Sequence, residues 1–210
     1  MEKLYKEIWR LVWLGFYNEE EILEIVLEET WASYFENQIN AAEIESTKEE
    51  LSQLIQKYQA TKADAEQKWH PETAIDRLEL AFEELRNETN NVLALHIAGD
   101  DYDEAIENTG AIFMEDSDID TIDLTTGYCF YIANDAKQLL PDFENPASKT
   151  GTLPLHCGNI EGMEEEGLAA CQNIFQILKK YGFKLSWNKK HDAPINLLEF
   201  KWESRYQEWD

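Results

Sequence analysis

Positive charge is missing from two long stretches of this 210-residue chain. No Lys or Arg occurs from Leu11 to Thr47, nor from Asn87 to Ala136. Both stretches are rich in Asp and Glu, and the formal net charge is -25. Such a surface repels a phosphate backbone, which argues against nucleic acid as a partner. An anionic membrane is disfavoured on the same ground. A basic protein is the macromolecule that this charge would attract and bring in faster. The bland alternative is that the charge serves solubility alone.

Cysteine is scarce as well. Cys129, Cys157 and Cys171 are the only three, and no CxxC pair occurs. An odd count in a chain of this length argues against a disulfide framework or a structural zinc knot. Long apolar runs are absent. The N-terminal MEKLYKEIWRLVWLGF has charges spread among its apolar residues, unlike a signal peptide or a membrane span. The expected compartment is the cytoplasm. GxSxG, HExxH, GxGxxG and P-loop patterns are all missing, so no cofactor is implied. What remains is a core-forming composition, 43% apolar and 12% aromatic with seven Trp, which excludes disorder over most of the length.

The first ninety residues read as helices. Leu4, Ile8, Leu11 and Val12 share one helical face, with Trp9 and Trp13 beside it, and Gly15 stands where that helix stops. Asn18 and Glu21 have capping-box spacing at the start of a second helix. Residues 36–45 are polar and aperiodic and read as a loop. Ser46 with Glu49, or Thr47 with Glu50, would cap a third helix with the stripe Leu51, Leu54, Ile55 and Tyr58. Thr73 is a candidate cap for a fourth, whose core face is Ile75, Leu78, Ala81, Phe82 and Leu85.

The pattern changes after Asn91. Strands are expected at 92–98, 127–133 and 152–157, although Pro154 points to an edge or a bulge in the last. Short helices are expected from Tyr102 to about Met114 and over NDAKQLLP. A longer one runs from Glu164 to Lys180, lined by Leu168, Cys171, Phe175 and Leu178. FKLSW and INLLEFKW, joined around Asn188 to Pro194, read as a hairpin. The economical architecture is α+β: N-terminal helices, then a mixed sheet of about five strands with packing helices and a C-terminal hairpin. The division expected is a helical region over 1–90 and a sheet region over 91–210, the two able to form one compact domain.

Three sets of residues carry a resemblance. The first is VWLGF, Val12 to Phe16, with Glu20 and Ile22. The second is Trp69 with DRLELAFEEL, Asp76 to Leu85. The third is GYCFYIANDAKQLL, Gly127 to Leu140, followed by the late helix and the FKLSW and FKWESR strands. Together they resemble a bacterial family of domains of unknown function with VW-x-GF, W…DRL-x-x-AF and GY-x-FY motifs, over most of the chain. The resemblance implies a shared α+β fold and no activity. It also implies Cys pairs after the first strand in many members. Here that place reads HIAGDDYDEA, so a metal or redox role built on such pairs does not transfer. The matching Trp13, Phe16, Trp69, Leu78, Phe82, Phe130 and Trp187 have an ordinary explanation as core.

Two constellations are candidates for chemistry. If the strands holding His96, Tyr131 and His156 lie parallel, their carboxyl ends converge, and ligands favour that edge of an open sheet. Asp100, Asp101, Asn134, Asp135 and Cys157 would then be near. His96, Asp100, Asp101, His156 and Cys157 are of the types that bind zinc or a related metal. His156 has the titration range of a general base. Against a joint role, His156 and Cys157 are adjacent and point to opposite faces of a regular strand. The second constellation is the acidic loop with Asp116, Asp118, Asp120 and Asp123. It begins like a calcium loop, then fails: Thr121 stands where the turn glycine belongs and Gly127 where the bidentate Glu belongs. A solvated acidic loop, or a contact for a basic partner, is its simpler reading.

The functional expectation is a non-catalytic protein-binding or regulatory module. An immunity-type inhibitor of a basic toxin fits the size and charge. The alternative is an enzyme or metal protein at the strand ends near His96 and His156.

Overall fold

The structure is a computed structural model, and it describes residues 2–34, 41–87, 92–116, 127–160 and 162–206. Among these are seven helices and one five-stranded mixed sheet, an α+β fold. No described helix is long and apolar enough to cross a membrane. The chain divides into two units. One comprises residues 1–71, 140–148 and 203–210, the other 72–139 and 149–202. The units therefore divide differently from a single boundary at residue 90. The fourth helix belongs with the sheet, and the chain leaves that unit and returns to it.

The first unit holds α1 (Glu2–Leu14), α2 (Glu19–Tyr34) and α3 (Ala41–Glu66). Ile8, Leu11, Val12 and Trp13 of α1 are buried, as the period of their spacing requires. Trp9 packs against Trp13, Tyr58 and Phe143, and its indole N–H donates to the Pro141 carbonyl at 3.0 Å. Gly15 ends α1 with φ +83. A Cβ there would lie 2.7 Å from Ser204 Oγ, so both the turn and the close approach demand glycine. The capping box at α2 is present. Glu21 N donates to Asn18 Oδ1 at 3.0 Å, and Asn18 N to Glu21 Oε2 at 2.6 Å. The third helix starts at Ala41, within the segment expected to be a loop. Its first residues, Ala41 and Ala42, have the highest helix propensity, and the Ser46 and Thr47 cap patterns fall inside the helix instead.

The second unit is built on α4 (Ala74–Arg86), β1 (Val92–Leu95), α5 (Tyr102–Asp116), β2 (Gly127–Phe130), α6 (Ala133–Leu139), β3 (Thr150–Asn159), α7 (Glu164–Lys180), β4 (Lys184–Ser186) and β5 (Ile195–Lys201). Strand order is β1-β2-β3-β5-β4. Thr73 and Asp76 form a reciprocal capping box at α4, which buries the five expected residues. In α7 the buried stripe is Gly167, Cys171, Ile174, Ile177 and Leu178. Leu168 and Phe175, expected on that stripe, are only half-buried. Both stripes satisfy helical spacing, and the sheet takes the one carrying the two isoleucines.

Strand direction differs from expectation at one place. β1 and β2 are parallel, but β3 is antiparallel to β2, with His156 opposite Phe130. Parallel pairing needs a long crossover packed back on the sheet. The seven-residue α6 is too short for that, and residues 140–148 belong to the other unit. Pro154 sits in a central strand rather than at an edge. β2 pairs with β3 only from His156 onward, and a register shift lies between Gly151 and Leu153. The expected hairpin is present as the antiparallel β4–β5 pair.

Candidate functional site

β1 and β2 end side by side, and their following loops are stitched together. Ala98 N donates to Tyr131 O, Ala133 N to Gly99 O, and Asn134 N to Asp100 O. The backbone turns sharply at Ile97, a β-branched residue held at φ +43. This turn ends β1 at Leu95 and separates the two histidines of the region.

His96 lies on the α4 side. Glu79, Phe82 and Arg86 form one flank of α4 through i, i+3, i+7 spacing, and all three reach this region. Phe82 packs 4.7 Å from the His96 ring. Glu79 hydrogen-bonds His96 Nε2, and the Tyr131 hydroxyl hydrogen-bonds Nδ1 at 2.8 Å. Arg86 donates to Glu79 at 3.0 Å and to the Ala94 carbonyl at 2.9 Å. The network assigns the tautomer. Nε2–H donates to the Glu79 carboxylate, and Nδ1 accepts from Tyr131.

Burial lowers the His96 pKa, against the raising influence of Glu79. Burial alone would raise the Glu79 carboxyl, but His96 and then Arg86 outweigh it and hold it below its ordinary range. Burial pushes the Tyr131 hydroxyl well up. At neutral pH this is a neutral imidazole between a carboxylate and a phenol, fully hydrogen-bonded. Tyr131 is completely buried, His96 and Glu79 are largely so, and Arg86 covers the outer end and is itself exposed.

His156 lies on the other side, beneath α5. Its ring sits 5.5 Å from Phe130 and 5.0 Å from Tyr102. Its Nε2 is buried and has no hydrogen-bond partner among the described residues. Asp135 Oδ2 stands 3.7 Å away. Burial lowers the His156 pKa, and Asp135 opposes the shift. Burial, and next the nearby Tyr102, raises the Tyr128 hydroxyl.

The expected metal ligands are therefore dispersed. His96 and His156 occupy different sides of the sheet. Asp101 caps α5 by accepting from Glu104 N at 3.1 Å, and Asp100 lies 3.5 Å from Lys137. Cys157 is bonded to Cys171 in a disulfide that joins β3 to α7, contrary to the argument from the odd cysteine count. Cys129 is buried and free, as its strand position implies. Among the described residues no group of three or more His, Cys, Asp or Glu is placed to hold a metal ion. In the acidic loop, Asp116 is the last residue of α5, and Asp118, Asp120 and Asp123 lie outside the described residues.

Sequence reasoning missed Glu79, Arg86 and Lys62. The flank spacing on α4 was the signal for the first two. Lys62 is buried, donates to the Val12 carbonyl at 3.1 Å and lies 3.8 Å from Glu66. Burial pulls its pKa down to about 8, against Glu66. A lysine there satisfies a carbonyl at the end of α1, where the helix dipole favours a cation.

The outer face of α5 is exposed. Ala105 and Thr109 face inward and are buried. Tyr102 and Ile106, one turn apart, are 45% and 37% exposed. Asp101, Asp103, Glu104 and Glu107 are exposed around them.

Comparison with curated proteins and with solved structures finds no match. A family model does match, over residues 1–206, nearly the full length and both units. The chain belongs to the family described as Domain of unknown function (DUF6891).

Proposed function

We propose that this chain is a non-catalytic protein-binding module that captures a basic partner segment on the outer face of α5. One observation carries the reading. Tyr102 and Ile106 stand exposed one helical turn apart, ringed by carboxylates, within a stretch from Asn87 to Ala136 that holds no Lys or Arg. Large apolar side chains rimmed by polar groups are the usual anatomy of a contact surface. The carboxylates select a cationic partner and speed its arrival. The His96 network lies on the α4 side with both ring nitrogens hydrogen-bonded, which suits support rather than catalysis.

The test is capture from host extract with the purified chain and with an Asp103→Lys, Glu107→Lys variant. The reading expects a basic protein held at low salt, released at about 0.5 M salt, where screening is short-ranged, and lost by the variant. No capture at low salt, or equal capture by the variant, would sink it. A second reading is supported by the unpartnered His156 Nε2 near Asp135: an enzyme using this pair as a proton-transfer site. It requires a turnover that His156→Gln abolishes while the fold is kept.

A further inference from the structure

A groove of about 550 Å³ lies between α7 and the turn that joins β4 to β5. Its size falls within the range of ordinary ligand sites. Three amides of α7, Gln172, Asn173 and Gln176, line it together with Phe175, Trp187 and Lys189. No carboxylate is among the lining residues. The Phe175 and Trp187 rings lie 5.9 Å apart and form an aromatic patch.

The groove is preformed. The Trp187 indole N–H donates to the Lys190 carbonyl at 3.1 Å, and Lys190 N donates to Asn188 Oδ1 at 3.0 Å. Lys189 between them holds φ +62, a left-handed conformation uncommon for a residue with a side chain. The Cys157–Cys171 disulfide anchors α7 to β3 one turn before Phe175, and Cys171 Sγ lies 3.9 Å from the His191 carbonyl. Both walls are thus tied down before anything binds, which lowers the cost of binding.

The sequence charge over residues 179–201 is inverted relative to the rest of the chain. Lys179, Lys180, Lys184, Lys189, Lys190 and Lys201 make up a third of the 18 basic residues of the chain. Only Asp192 and Glu199 oppose them between residues 179 and 201. Lys180 and Lys184 pair with Glu84 and Glu199, whereas Lys189 faces the groove.

We infer that this groove binds an acidic peptide segment carrying one apolar side chain. The aromatic patch takes the apolar group. The Gln172 and Gln176 amides offer donors and an acceptor to the peptide groups. Lys189, supported by its basic neighbours, meets the carboxylates. A nucleic acid or a second copy of this chain fits less well, since each carries negative charge far beyond the groove against a net charge of -25, whereas a short segment keeps its carboxylates beside Lys189. The inference does not depend on α5.

The test is selection from a displayed library of random dodecapeptides on the full chain, counter-selected on a Lys189→Glu, Lys190→Glu variant. Enriched peptides are expected to carry Asp or Glu around one large apolar residue. By fluorescence anisotropy they should bind at least tenfold more weakly to that variant and to Gln172→Ala, Gln176→Ala. Asp103→Lys, Glu107→Lys should bind them as the parent does, which separates this groove from the α5 surface. Circular dichroism confirms that each variant is folded. No enrichment, enrichment of neutral or basic peptides, or undiminished binding by the folded groove variants would overturn the inference.

Discussion

On the α4 side of the sheet, His96 has both ring nitrogens engaged, by Tyr131 and by Glu79. On the α5 side, His156 stacks on Phe130 and meets a tilted Tyr102 ring, with a carboxylate at 3.7 Å and no hydrogen bond to its Nε2 among the described residues. The two rings flank the same strand, and burial lowers the pKa of both. Their surroundings separate them. A buried imidazole with a complete set of partners is a structural element, because every polar group exchanged out of water has been replaced. One with an orphaned nitrogen contributes less to stability. The α4 side is therefore the framework, and the α5 side is where a surface is left available.

The largest effect that can break this contrast is expected at His96. His96→Ala removes a packed ring and strands the Glu79 carboxylate and the Tyr131 hydroxyl. A loss of about 3 kcal/mol in urea unfolding is expected from the combined cavity and unsatisfied groups. A loss below about 1 kcal/mol, the scale of a surface substitution, would mean that the network is ornamental.

The next effect is pH-dependent. The folded pKa of His96 lies below its ordinary value of 6.5, so the unfolded chain takes the proton first. Stability is complete above that value and falls as pH drops through it toward the folded pKa. His156 has the same sign, and Glu79 adds a further loss below its ordinary 4.5. Unfolding midpoints measured between pH 7.5 and 5.5 should decline in the parent and decline less in His96→Gln. A variant slope equal to that of the parent would remove His96 as a source of acid sensitivity.

The smallest effect is expected at His156. His156→Phe keeps the stack on Phe130 and removes a nitrogen that lacks a hydrogen bond, so the change should stay within about 1 kcal/mol in either direction. A loss matching that at His96 would erase the contrast between the two sides.

How far the sequence foretold this arrangement depends on whether the cause was local. The five buried positions of α4, the capping box at Asn18 and the cap at Thr73 follow from spacing within one turn or one helix, and each is present. The β4–β5 hairpin depends on neighbouring segments and is present too. The direction of β3 does not follow, because the chain passes through residues of the other unit before returning. The proposed ligands are dispersed because His96 and His156 face different sides of the sheet and Cys157 is taken by a disulfide. Even so, His156 reaches Asp135, because an antiparallel strand brings residue 156 opposite Phe130 from the other direction. The Cys157–Cys171 bond joins two elements whose contact no local pattern announces. On α7, two stripes fit one period, and the half-buried Phe175 became part of a groove rather than the core.

The account rests on α5 as a contact surface, and site-specific photo-cross-linking in host cells tests it most directly. A photoreactive residue replaces Ile106 in one sample and Leu80, an equally exposed apolar position on α4, in another. The predicted result is a covalent adduct with a basic protein at position 106 and none at position 80. No adduct at 106, or the same adducts at both positions, would contradict it.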